Sequence, residues 1–291
     1  MYFFLQIALS GIATGAIYGL IAVGYSLTFL TTRVLNFALG MWVMVGGMLT
    51  FSLVVQYGIN PVLSLAAVLL AMTAMGVAAE RVSVFPFLRA GSDVWVMSTL
   101  AVGFLFIDFA EIIWGRSPNP VPGLFGSQPV RFGALSVLPQ QIAILITAAV
   151  VFVALDLFFH RTLLGKAFRA VAHSDQVSTL MGVNVRRIQA GSFAVACGLA
   201  GLAGFMVVPL TLAEPQMGTV LGLKAFAIAI IAGLAAPRGI LLCGLGYGAL
   251  EGLISGYLFT GIRDILGFSL MIVVLCFKPE GLFGRPQEER A

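Results

Sequence analysis

Charge is what this sequence has least of. Acidic and basic side chains together make up 10% of its 291 residues, and 60% are apolar. Soluble domains run at about a quarter charged, so a water-soluble chain of this make-up would lack the polar surface to cover itself. Histidine is nearly absent, with His160 and His173 alone. The three cysteines, Cys197, Cys243 and Cys276, sit inside apolar runs and none is paired at metal-ligand spacing, so they read as small packing residues. There is no H-E-x-x-H, no cluster of acids, Cys and His, and no nucleophile–base pattern. Together these absences exclude the common intramembrane hydrolases. The phosphate-binding G-x-x-x-x-G-K-[ST] is missing too: Gly165-Lys166 is followed by Ala167, and His160 stands five before Gly165. No cofactor is expected on this chain, and any ATP used to drive it is hydrolysed by another polypeptide.

What the sequence does have is long apolar runs. The mean hydropathy is +1.05. A spanning helix needs about 20 apolar residues at ~1.5 Å rise each. Such runs fall at 5–29, 37–57, 61–79, 94–114, 140–159, 190–210, 222–236, 240–260 and 264–277. The run at 222–236 is short and is read as crossing, re-entrant or broken. The expected fold is therefore all-α, a polytopic membrane helix bundle of eight or nine elements, forming one domain over 1–291. No basic n-region precedes the first run, so Tyr2 to Phe29 reads as a retained span.

The longest polar insertion, His160 to Gln189, holds Arg161, Lys166, Arg169, Arg186 and Arg187 against the single acid Asp175. The positive-inside rule makes it cytoplasmic. Alternation then puts Arg33, Arg81, Arg89, Arg238, Lys278, Arg285 and Arg290 on the same side, and Arg116, Arg131, Lys224 and Arg263 outside. The expected topology has the N-terminus periplasmic and the C-terminus cytoplasmic. The net charge of +4 follows from that topology and implies no nucleic-acid partner.

Two segments outside the membrane stand out. Gly115 to Pro139 contains Pro118, Pro120, Pro122, Pro129 and Pro139, which forbid a regular helix. It reads as an irregular external loop, either a connector or a platform for a soluble receptor. In 160–189, Leu163, Leu164, Ala167, Phe168 and Val171 recur on one side of a helix. Ser174 and Asp175 are N-cap residues and Gly182 is placed to end the short helix they start. Two short helices follow, as an interfacial connector or as a docking element for a cytoplasmic partner.

Glycine recurs every four residues at Gly11, Gly15 and Gly19 and at Gly244, Gly248, Gly252 and Gly256, and every three at Gly198, Gly201 and Gly204. These smooth stripes suit close helix approach in lipid. Asn36 to Gly40 opens the second span, and Gly233 to Gly239 interrupts the late helices. Broken helices are tolerated where they face protein or a wet cavity, so both are candidate pore-lining or hinge elements. Of the intramembrane acids, Asp108, Glu111 and Asp156 lie toward helix ends. Glu251 lies mid-run and must be paired, protonated or facing water. A row of such groups would suit a proton-coupled secondary transporter, the alternative reading.

The order of these pieces resembles the permeases of branched-chain amino acid ABC importers, the smaller of the two paired types. Gly11 to Leu20 looks like that family's first helix. Asn36-Phe37-Ala38 follows. Gly165 to Ala170, Asp175 and Gly182-Val183-Asn184 are similar to the coupling loop. Ala200 to Gly204 and Lys278 to Gly284 complete the series. The resemblance implies a second permease subunit, two cytoplasmic ATPases, a periplasmic solute-binding protein and a bacterial inner-membrane location. It assigns ATPase coupling to Gly165, Lys166, Phe168, Arg169, Ala170, Asp175 and Gly182. It assigns the substrate pathway to Tyr18, Asn36, Gly40, Gly204, Gly233 and Glu251. The cargo implied is a hydrophobic amino acid or a related small solute such as urea or an amide. Two departures stand out: Leu39-Gly40-Met41 replaces the usual His-Gly-Glu, and Gly233 to Gly239 replaces a Gly-Gly-x-Gly-Ser turn.

Overall fold

The first apolar run folds as α1, Tyr2–Thr32, a 31-residue helix carrying no charged side chain. A computed structural model describes residues 2–89, 94–126, 128–132, 135–257, 262–278 and 280–284. Arg285 and Arg290 lie outside the described residues. After α1 come α2 (Leu39–Phe51, continued by a π-turn at Ser52–Gln56), α3 (Pro61–Ala79, continued by a π-turn at Glu80–Val84), α4 (Phe85–Arg89) and α5 (Trp95–Trp114). Then follow α6 (Pro139–Arg161), α7 (Leu163–His173), α8 (Asp175–Leu180), α9 (Val185–Val207), α10 (Met217–Ala232), α11 (Pro237–Tyr257) and α12 (Ile262–Phe277).

Among the described residues seven helices are long and apolar enough to cross a membrane, and α10 and α12 add two shorter apolar elements. Local chemistry sets several starts. Proline occupies the first turn of α3 and of α6, where its missing N–H has no intrahelical partner to lose. The Asn60 and Asn184 side chains cap α3 and α9 by accepting from Val62 N and Arg187 N.

The glycine stripes pair helices. Gly11 and Gly15 of α1 face Gly244, Gly248 and Gly252 of α11 so closely that a Cβ on Gly15 would lie 2.9 Å from the Gly248 Cα. The third stripe divides between two neighbours. A Cβ on Gly46 of α2 would lie 2.6 Å from the Gly201 Cα, while Gly198 faces Thr73 and Gly201 also meets Met72 of α3. A fourth crossing joins Gly40 to Gly218 and Gly222 of α10. Backbones this close gain dispersion contacts that lipid chains cannot supply. The core is therefore α1, α2, α9 and α10 with the inner face of α11, while α5 and α6 turn most of their surface outward.

Three expectations change. The segment 115–139 is not wholly irregular: Val130–Phe132 and Leu135–Val137 pair as a small antiparallel hairpin, and Asn119 bridges Ala213. Its prolines lie outside the strands, four before them and Pro139 after, so they cost the ladder no donor. Lys224 is not an external charge but a fully buried side chain midway along α10. On α7 the apolar stripe splits. Phe168 and Val171 are buried, but Leu163 and Leu164 stand exposed.

The break after α10 is closed by the far end of the chain. Gly233 takes φ +91° as its C-cap. Leu282 N and Phe283 N then donate to Ile231 O and Ala232 O at 2.7 and 3.0 Å, satisfying carbonyls that the helix end leaves open. Ser26 Oγ of α1 donates to Leu234 O at 2.6 Å. The Lys278 to Gly284 motif is thus a lid on the α10 terminus.

Candidate functional site

Lys224 of α10 and Glu251 of α11 meet inside the bundle, Nζ to Oε1 2.6 Å, with side chains 1% and 7% exposed. Tyr18 of α1 joins them: its hydroxyl donates to Glu251 Oε1 across 3.4 Å, and the ammonium lies 5.8 Å from its ring centroid. Tyr247 packs edge-on against Tyr18. Burying two ions is expensive unless they pair with good geometry, and here each ion answers the other. Glu251 also lines a cavity of ≈270 Å³ between α1 and α11 with Ser10, Thr14, Ser255 and Ile7. The glycine crossing gives this groove backbone walls. The Glu251 carboxylate thus holds the Lys224 ammonium and the Tyr18 hydroxyl at the edge of a groove that Ser10, Thr14 and Ser255 line with hydroxyls.

The other pathway residues go elsewhere. Gly40 is consumed in the α2–α10 crossing, and Gly204 abuts Val43 and Gly47 of α2. Asn36, buried, accepts from Ala38 N at 3.2 Å in the α1–α2 connection, and its Nδ2 has no hydrogen-bond partner among the described residues. Gly233 caps α10. Tyr18 and Glu251 alone of the six share a site. Lys224 and the Ser10–Thr14 hydroxyls were missed. The signal in the sequence was a lone lysine inside one apolar run and a lone acid inside the next.

The 160–189 loop is a second constellation. Thr162 caps α7 by accepting from Gly165 N at 2.9 Å, and Ser174 caps α8 by accepting from Val177 N at 3.3 Å. Gly165 lets α7 fold back on α6: a Cβ there would lie 2.6 Å from the Phe159 Cα. Phe168 anchors the hairpin edge-on between Phe158 and Phe159. Gly182, at φ +80°, ends α8. Asp175 opens α8 and accepts from Gln176 N. Lys166, Arg169 and Ala170 point outward.

Beyond the anchor, Leu163, Leu164, Val177, Leu180 and Met181 are exposed, Leu180 to 87%. The loop grips α1 at two places, one of them Gln189 Nε2 donating to Thr31 O at 3.2 Å. Arg33, at φ +58°, donates from Nη2 to Ala172 O at 3.0 Å at the α7 C-terminus, where a cation is favoured. Nearby, Asp156 of α6 pairs with Arg238 of α11 at 2.8 Å. The ends of α1 and α6, the start of α11, the whole of α7 and the start of α9 therefore gather at one basic end of the bundle. Of the remaining membrane acids, Glu111 pairs with Arg116 at 2.7 Å, and Asp108 is exposed on α5.

A polytopic bundle with a buried ion pair and a helical loop gripping several spans defines the integral subunit of a membrane transporter. The sequence family described as branched-chain amino acid transport system, permease component, matches residues 7–275, and the chain belongs to it. It is an ABC-type permease component and not an enzyme. The high-affinity branched-chain amino acid transport system permease protein LivH of Salmonella typhimurium is 29% identical over 302 residues, covering 99% of this chain and 98% of that protein. The corresponding BraD of Pseudomonas aeruginosa is 30% identical over 304 residues, covering 100% and 99%. Ribose import permease protein RbsC of Escherichia coli is more distant, 27% identical over 264 residues, 87% of this chain and 76% of that protein.

Proposed function

We propose that this chain is one half of the membrane channel of an ATP-driven importer of branched-chain amino acids. It would pair with a second permease, receive cargo from a periplasmic binding protein, and be driven by two cytoplasmic ATPases, which hold the ATP. Its place is a bacterial inner membrane, N-terminus periplasmic and C-terminus cytoplasmic. The observation that carries this is the α7–α8 hairpin. Phe168 fixes it from beneath while Leu163, Leu164, Val177, Leu180 and Met181 present an apolar face with Lys166 and Arg169 beside it. Exposed apolar surface ringed by charge suits a protein partner. Arg33 and Gly165 join that hairpin to α1 and α6, so a partner's movement reaches the spans.

The Glu251 cavity is the cargo's polar station. Its carboxylate meets the substrate ammonium while Ser10, Thr14 and Ser255 offer hydroxyls, and the aliphatic side chain lies on Ile7. The station is small and open, which suits a weakly selective pore whose affinity comes from the binding protein. Urea and amides lack the ammonium that Glu251 would recognise. Purification from gently solubilised native membranes, with co-purifying proteins identified, tests the assembly. Recovery of an ATPase and a second permease supports it. A chain recovered alone that moves solute without ATP would favour the proton-coupled carrier.

A further inference from the structure

The span begun at α3 does not end as an ordinary helix. It widens into the π-turn Glu80–Val84 before resuming as α4, and π-turns concentrate at functional positions. Glu80, its first residue, is 1% exposed, and neither carboxylate oxygen has a hydrogen-bond partner among the described residues. Burial works against its charge, and Arg186 and Arg81 act on it the other way through theirs. Arg186, however, is engaged elsewhere, its guanidinium 3.8 Å above the Phe85 ring. Asn184 accepts at its side-chain oxygen from Arg187 N. Between these groups lies a cavity of ≈260 Å³ lined by Glu80, Arg81, Asn184, Arg186, Arg187 and Ala190.

A buried carboxylate without donors is costly. The cavity it lines supplies a route by which a donor enters, and that donor must carry charge to answer an ion. Three guanidiniums at the same cavity call for an anion. A ligand that answers both has an ammonium tip joined by a short linker to a phosphate. The depth is right for one source of such groups. The 19 residues of Pro61–Ala79 advance about 28 Å at ~1.5 Å each, close to a hydrocarbon thickness of ~30 Å. Glu80 therefore sits at headgroup level.

We propose that this cavity binds the headgroup of a phospholipid bearing a primary amine, phosphoethanolamine in chemical class. Its ammonium donates to the Glu80 carboxylate, and its phosphate rests among Arg186, Arg187 and Arg81. The bound headgroup bridges the α3–α4 turn to the start of α9, directly after the docking hairpin.

The test uses the intact transporter, exchanged into nanodiscs with equal phosphatidylethanolamine, phosphatidylcholine and phosphatidylglycerol, its tightly held lipids counted by mass spectrometry. Phosphatidylcholine keeps the phosphate but its quaternary nitrogen donates no hydrogen bond. Phosphatidylglycerol keeps the phosphate and lacks the ammonium. The wild type should enrich phosphatidylethanolamine over phosphatidylcholine by about ten-fold, the scale of one charge-assisted hydrogen bond. Glu80→Gln should bring that ratio near one. Arg187→Gln, at the exposed rim, should lower retention of all three lipids while leaving the ratio intact. Equal retention by the wild type, a preference for phosphatidylglycerol, or an undiminished ratio in Glu80→Gln overturns the proposal. The wild-type ratio decides alone if Glu80→Gln fails to fold. Equal retention would mean that Arg186 turns from Phe85 onto Glu80 instead.

Discussion

Lys224 Nζ and Glu251 Oε1 lie 2.6 Å apart within the bundle, tying the short helix α10 to α11. α10 has 16 residues, about 24 Å of helix at ~1.5 Å each, short of a full hydrocarbon thickness. Its place in the bundle depends on side contacts: the Gly40 crossing at one end, the 280–284 turn at the other, and this ion pair between.

Neutralising either partner leaves the other buried and uncompensated, at about 3–5 kcal/mol. Glu251→Gln should therefore lower the thermal midpoint of the purified protein, and Lys224→Met should do the same. The double variant Lys224→Met/Glu251→Leu should recover much of that stability, because no lone ion remains, yet still fail in amino acid uptake. Full uptake by the double variant would reduce the pair to a structural bond.

The α1–α11 crossing predicts a sharp positional contrast. A Cβ at Gly248 would overlap the Gly11 and Gly15 backbone, whereas nothing lies within 4 Å of one at Gly246. Gly248→Leu should abolish monodisperse protein in size-exclusion chromatography. Gly246→Ala should leave the protein monodisperse and, by helix propensity, raise its stability by up to about 1 kcal/mol. Equal behaviour of the two would contradict the crossing.

Docking rests on the exposed edge of the hairpin. Leu180→Asp should weaken ATPase binding by roughly 30-fold, as losing a central apolar anchor does, with membrane insertion unchanged. Arg169→Glu should abolish ATP-driven uptake while the protein still inserts. Wild-type uptake in either variant would remove that residue from the coupling surface.

Arg33 separates backbone from side chain. Its φ of +58° costs a non-glycine residue about 1–2 kcal/mol, so Arg33→Gly relieves strain while deleting the bond to Ala172. The variant should fold well and hydrolyse ATP, but import fewer solute molecules per ATP. An unchanged transport-to-hydrolysis ratio would show that α1 is not linked to α7 through this contact.

Where periodicity or capping decides structure, the sequence was legible. Gly11, Gly15, Gly244 and Gly248 face one another as their spacing suggests, and Ser174 and Gly182 delimit α8 because their chemistry is local. The shortness of the late apolar run anticipated α10. Partnership between distant positions was less legible. Lys224 looked like a boundary charge because it lies near the start of an apolar run, and only the fold brings Glu251 to it. Gly40 and Gly233 carried a polar-pathway reading, and the structure places them at a helix crossing and at a cap completed by Leu282 and Phe283. Glu80 gave no sign of itself, since the helices packed on its turn include α5 and α9, which are distant in sequence.

The account turns on whether ATP spent by separate subunits moves an amino acid through this chain. The most direct measurement is leucine uptake into proteoliposomes holding the purified complex, with ATP inside and binding protein outside. Uptake should require ATP, be competed by isoleucine and valine but not by urea, and be lost in Arg169→Glu. Uptake that ignores ATP and follows a proton gradient would contradict the account.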